Sequence, residues 1–230
     1  MDFSESLARV FLESRGYGDA VYEPDGNVPP DFSCGGIAVE VRRLNQHDKT
    51  GHGLEETEYP LVGKFRMLLA SFGPPRSASW FVTFQFRRPI EKWRTLAPKI
   101  RGVLASVGDN LVNDVVRIRV TETFSIAIFR ASELHDSRFV HGGHTDHESG
   151  GWLVSETIRN LAIVIPEKTR KITPYQSKYP EWWLVLVDCI GYANFDADEL
   201  NVLRRHVVRP SEWAKIFLLN PLDPRRAIEV

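Results

Sequence analysis

Cysteine is scarce: Cys34 and Cys189 are the only two in 230 residues. Two isolated thiols make neither a disulfide framework nor a zinc-ligand spacing, so both are expected to stay reduced in a cytoplasmic protein. Long apolar runs are missing too. None approaches the ~18 residues that a membrane span requires, so no membrane partner is expected. The leading segment MDFSESLARVFLESRGY has no basic stretch followed by an apolar block, the pattern of a secretory signal. Net charge is almost absent, with 29 Lys and Arg against 30 Asp and Glu. A chain so balanced has no global attraction to nucleic acid, and any phosphate-binding surface must be local. There is no internal repeat and no linker marked by a shift in composition. What remains is 43% hydrophobic and 26% charged residues, the make-up of an ordinary globular protein. A chain this long buries roughly 70% of its unfolded surface and needs no covalent staple.

Periodicity supplies the elements. Phe3, Leu7, Val10 and Phe11 share one helical face, which Gly16 and Gly18 end. A short strand is expected around residues 20–23. Two more strands flank Gly35-Gly36 as a hairpin, the second alternating Ile37, Val39 and Val41 against Ala38, Glu40 and Arg42. Leu61, Phe65, Leu68, Leu69 and Phe72 mark a helix whose first turn should hold Pro60, with Glu55, Glu56 and Glu58 at its start. SASWFVTFQF reads as a strand, residues 90–105 as a helix broken or kinked at Pro98, and VVRIRVTET and FSIAIFRAS as a strand pair or one long bent strand. Residues 135–151 hold four histidines and four glycines and read as a mobile, metal-free loop. Val154, Ile158, Leu161 and Ile165 form a helical stripe that Pro166 interrupts. WWLVLVDCI is a strand buried on both faces, followed by a short helix near 198–206 and a strand at 215–219. Helices alternating with strands predict a single α/β domain over 1–230, its oligomeric state open.

The chemistry concentrates in PPDFSCGGIAVEVRRLN. Asp31 closes one strand, and Glu40 and Arg42, two residues apart, share the polar face of the next. Two carboxylates held close repel each other unless a divalent cation lies between them. Hard oxygen ligands with room for water suit Mg²⁺ (or Mn²⁺), which activates water and stabilises a phosphate under attack. A Pro-Asp pair and an E-x-R on a strand also occur by chance, and Glu40–Arg42 would then be a surface cross-strand salt bridge.

Pro30-Asp31, eight residues, then Glu40-Val41-Arg42 resembles the signature of the PD-(D/E)xK, or restriction-endonuclease-like, nucleases. The preceding helix and strand and the following helix and strand match that family's αβββαβ core in order, over roughly the first 90 residues. The resemblance implies a three-layer α/β/α fold with a mixed central sheet, Mg²⁺-dependent phosphodiester hydrolysis in DNA or RNA, and Asp31 and Glu40 as metal ligands. A glutamate on the first helix, Glu5 or Glu13, would join them, with Glu5 nearer that helix's start. Arg42 departs from the family's lysine. A guanidinium keeps its charge and offers a planar fork, so Arg42 would stabilise the phosphate electrostatically. Lys64 would otherwise supply the ammonium, or the site is a decayed one on a protein that binds nucleic acid or a protein partner without cleavage. A metal-free structural protein is the third reading.

Outside the hairpin, Lys168, Lys171, Tyr175 and Lys178 recur at helical spacing. If the helix runs past Pro166, they make a basic stripe with an aromatic in it, suited to phosphates and bases; otherwise they are a solvated face. Glu58 either caps its helix or lies near the hairpin. Trp182 and Trp183 are expected in the core.

Overall fold

The computed structural model describes residues 1–75, 77–106 and 115–230. In chain order the elements are α1 (Phe3–Ser14), β1 (Val21–Tyr22), β2 (Phe32–Cys34), β3 (Ile37–Leu44), α2 (Leu54–Ala70), β4 (Trp80–Phe86), α3 (Trp93–Ser106), β5 (Val115–Arg119), β6 (Phe124–Arg130), β7 (Phe139–Asp146), α4 (Leu153–Ile172), β8 (Glu181–Asp188), α5 (Ala197–His206), β9 (Lys215–Asn220) and β10 (Asp223–Glu229). A 3-10 helix, Thr173–Lys178, follows α4. The class is mixed α/β, as the alternation of patterns predicts. Among the described residues, no helix is long and apolar enough to cross a membrane.

The strands form two mixed sheets, one ordered β1-β2-β3-β8-β9-β10 and the other β5-β6-β4-β7. The chain divides accordingly into two compact units, where the sequence pattern was read as one domain. The first unit is Met1–Gly51 with Gly151–Val230, and the second is His52–Gly150. The helix and strand after the hairpin, α2 and β4, were expected to complete its sheet. They belong instead to the second unit. The parallel neighbour of β3 is β8, in register from Ile37↔Glu181 to Leu44↔Asp188.

In the first unit β3 and β8 are buried on both faces. Val39, Val41, Trp183 and Val185 pack with Ala8, Phe11 and Leu12 of α1. On the opposite face, Ala38, Leu44, Leu184 and Leu186 pack with Leu161, Val164 and Ile165 of α4. Each such side chain larger than alanine contributes roughly 1.5–3 kcal/mol by leaving water. Trp182 and Trp183 are core residues, as expected. The buried face of α1 is not the expected one. Ser4, Ala8, Phe11 and Leu12 face inward, while Phe3 and Val10 are exposed. Ala8 is fully buried against β3 and β8, a position that a scale of residue hydrophobicity undervalues.

Two further expectations are corrected. The helices α2, α3 and α4 continue through Pro60, Pro98 and Pro166. A proline removes one helical hydrogen bond, and the buried residues on both sides of it in each helix outweigh that loss. About half of the histidine-rich segment is a strand, β7, pairing parallel with β4. The register shifts between Val82 and Thr83, and Gly142 lies so close to β4 that a Cβ would stand 3.2 Å from both Phe81 Cβ and Thr83 Cγ2. The glycines there allow close strand approach rather than a loop. Finally, β10 pairs antiparallel with β9 although its sequence, DPRRAIE, carries little strand signal.

Candidate active site on the Asp31–Glu40 hairpin

The hairpin forms as its glycines require. Gly35 and Gly36 both have positive φ, +54° and +84°, the two-residue turn whose twist matches the flanking strands. Its register, Phe32↔Val39 to Cys34↔Ile37, places Asp31 directly opposite Glu40 one step beyond the end of β2. Because β2 has ended, the Val41 N–H has no ladder partner on that side, and it donates to Asp31 Oδ2 at 2.7 Å.

The face that carries Glu40 is polar in sequence but is not turned to water. It is covered by α4, and Glu40 is fully buried. Two lysines one turn apart on α4 reach it. Lys168 Nζ donates to Glu40 Oε1 at 2.6 Å and to the Val41 carbonyl at 3.1 Å, and Lys171 Nζ donates to the same Oε1 at 2.6 Å. Lys168 is buried as well, whereas the Lys171 side chain is 47% exposed. Glu40 Oε2 is buried and has no hydrogen-bond partner. A buried carboxylate oxygen left unpaired costs free energy, and buried ion pairs are themselves poor stabilisers because each ion loses its hydration. The cluster is therefore costly as architecture and points to a site.

Electrostatics agree with that geometry. Burial, and then the Glu40 charge, push the Asp31 carboxyl up to about 6, against the opposing pull of the Val41 N–H and the two lysines. Burial pulls the Lys171 ammonium down, but the hydrogen bond and charge of Glu40, helped by Asp31, outweigh it and leave its pKa raised. Asp188, the other buried carboxylate on this sheet, differs. It accepts from the N–H groups of Ile190, Gly191 and Ala193, which fill both its oxygens and shape the turn after β8. Its role is structural.

Comparison with protein-family models, with curated proteins and with solved structures finds no match for this chain. The site stands on its own geometry.

That geometry brings together Asp31, Glu40, Lys168 and Lys171 and leaves other candidates aside. Arg42, two residues past Glu40 on the same face, pairs with Glu167 of α4 at 3.3 Å, both side chains more than a third exposed. Glu5 is engaged in the cap of α1, exchanging hydrogen bonds with Asp2, and accepts from the Tyr22 hydroxyl at 2.9 Å. Among the described residues, no group of three or more His, Cys, Asp or Glu is arranged for a metal. Lys168 and Lys171, expected on an outer basic stripe, turn inward to Glu40. Tyr175 stands in the 3-10 helix, partly buried against the core below α4, with Lys178 Nζ 5.3 Å from its ring centre. Lys64 lies on α2, in the second unit. Glu58, also there, hydrogen-bonds His144 Nε2 at 2.7 Å. The signal for Lys168 was in the sequence: it continues the apolar stripe of Leu161 and Ile165, and a lysine on a buried stripe requires a carboxylate partner.

Proposed function

We propose that the chain is a Mg²⁺-dependent (or Mn²⁺-dependent) phosphodiesterase acting on nucleic acid, with its chemistry at Asp31, Glu40 and Lys171 and with Lys168 as a positioning residue. The observation that carries this reading is Glu40: fully buried, one oxygen held by two ammonium groups, the other without a partner, and a second carboxylate opposite. Taking α1, β1, β2, β3, α4 and β8 in order, with the second unit inserted before α4, supports a restriction-endonuclease-like α/β/α arrangement. The family's lysine position is Arg42 in this chain, and α4 supplies ammonium groups in its stead.

The donors present suit Mg²⁺, which commonly takes one or two carboxylates and keeps several waters. Asp31 and Glu40 Oε2 are the atoms that would hold it. When bound, such an ion lowers the pKa of water and offsets charge on a phosphate. The chain's own residues do the rest. Lys168, fixed by the Val41 carbonyl, holds Glu40 through Oε1 and leaves Oε2 without a partner. Lys171 is the solvent-reaching cation of the pair. Kept protonated by the two carboxylates, it acts as an electrostatic clamp on a phosphate oxygen and as a proton donor, not as a base.

Incubation of a mixed DNA and RNA panel with Mg²⁺ or Mn²⁺ tests the reading. Cleavage by the wild type should fall by about 10²-fold or more in Asp31→Ala and Lys171→Met. Absence of cleavage together with absence of Mn²⁺ binding by calorimetry would overturn it. Binding of nucleic acid without cleavage would select the alternative, a nuclease-like scaffold that has lost its chemistry.

A further inference from the structure

The second unit carries a surface that the hairpin chemistry does not use. In its sheet, Trp80, Val82, Phe84 and Phe86 of β4 and Phe124, Ile126 and Ile128 of β6 point into one core with residues of α2 and α3. Strand alternation sends the intervening residues to the opposite face. There β4 presents Phe81, Thr83 and Gln85, and β6 presents Ser125, Ala127 and Phe129. By register, Val115, Arg117 and Arg119 of the edge strand β5 lie beside them. A depression of about 600 Å³ lies on this face, floored by small side chains, among them Thr83, Ser125, Ala127 and Gly142.

We propose that this open face binds single-stranded nucleic acid, with Arg117 and Arg119 on phosphates and Phe81 and Phe129 as a stacking platform. It goes beyond the phosphodiesterase reading and uses none of the residues in the carboxylate–lysine cluster.

Charge selects the occupant. Arg117 and Arg119 are exposed, and among the described residues neither makes an ion pair or hydrogen bond. Two residues apart on one strand, they project side by side roughly 7 Å apart, as a run of successive phosphates requires. A second depression, which shares Gln85, Arg119 and Ser125 with the first, is lined by Arg87 and His147, with Glu122 in the turn after β5 as the acidic residue among its lining. Nearby Asp146 and Glu148 are occupied by Arg88. The aromatic component is equally specific. The Phe81 and Phe129 rings lie 5.5 Å apart, half-buried, and the His135 ring meets Phe81 edge-on at 5.1 Å. Such rings offer stacking to an unpaired base of any identity, whereas a duplex keeps its bases stacked on each other. Gly142 keeps the floor low, because a Cβ there would stand 3.2 Å from Phe81 Cβ and Thr83 Cγ2, tighter than an ordinary van der Waals contact. The Gln85 amide, hydrogen-bonded to His147 at 3.2 Å, sits where a base edge would meet it.

Fluorescence anisotropy with a labelled oligo-uridine or oligo-thymidine, and with a matched duplex, in EDTA so that no metal-dependent cleavage intervenes, tests the inference on the full chain. The single strand should bind about tenfold or more tighter than the duplex. Arg117→Glu/Arg119→Glu should weaken that binding by more than about tenfold and flatten the salt dependence by ~1.4 in log–log slope, two phosphates at ~0.7 each. Phe129→Leu, which keeps apolar bulk but removes the ring, should weaken it about fivefold or more, with an unchanged melting temperature as the folding control. Equal affinity for duplex and single strand, or no loss in the double arginine variant, would overturn the inference while leaving the phosphodiesterase reading to its own test.

Discussion

Glu40 sets the energetics of its surroundings. Its charge is balanced by Lys168 and Lys171 through a single oxygen, so removing either lysine should not be equivalent. Lys168→Met removes the buried partner and should cost roughly 3–5 kcal/mol in a denaturation experiment, as breaking a buried ion pair does. Lys171→Met removes a half-exposed one, should cost less, and should act chiefly on cleavage. Arg42→Ala breaks only the exposed pair with Glu167 and should cost ~1 kcal/mol or less, with cleavage per folded molecule unchanged. Asp31 carries a pH signature. Its folded pKa of about 6 lies above the ordinary carboxylate value, so the folded chain holds a proton there that the unfolded chain has released. That contribution to stability is full below about pH 4 and is lost as pH rises through 6. Asp31→Asn, which stays neutral, should therefore stabilise the chain by roughly 1–3 kcal/mol at pH 8 and by almost nothing at pH 4. Melting curves at the two pH values would show it, and a variant less stable than wild type at pH 8 would contradict the assignment.

At the scale of the element, local sequence and packing compete, and the outcome differs from one segment to the next. In the β2–β3 hairpin they agree. Gly35 and Gly36 supply the positive φ values that the turn demands, and nothing crowds a Cβ at Gly36, whose nearest atom would be Pro180 Cγ at 3.8 Å. Gly36→Ala should thus cost about 1 kcal/mol from backbone strain alone, while Gly35→Asn should be nearly neutral, since asparagine tolerates the same conformation. Thermal denaturation of the pair separates turn conformation from steric contact. In α2, α3 and α4 the two levels conflict, and packing prevails over the internal proline. In β7 a glycine- and histidine-rich sequence becomes a strand because β4, central in its sheet, offers a free ladder edge.

The molecule as a whole has separate cores: the cluster around Phe65, Phe84 and Phe124 lies within residues 52–150, and the clusters on either face of β3 and β8 lie within the remainder. Scanning calorimetry should accordingly give a measured enthalpy larger than the van't Hoff enthalpy, and Mn²⁺ should shift the part of the transition that belongs to the first unit. What the sequence determined by itself is everything whose cause is local. The period-two alternation, the paired glycines and the end of β2 place Asp31 opposite Glu40, and the unbroken apolar run of β8 marks a strand buried on both faces. Only the tertiary structure decided which helix covers the polar face of β3. Lys168 lies 128 residues from Glu40 along the chain, and their meeting depends on the β3–β8 pairing that threads an entire second unit between them. No local period encodes such a contact. It arises because a buried lysine and a buried carboxylate each cost too much alone, and this packing lets each satisfy the other.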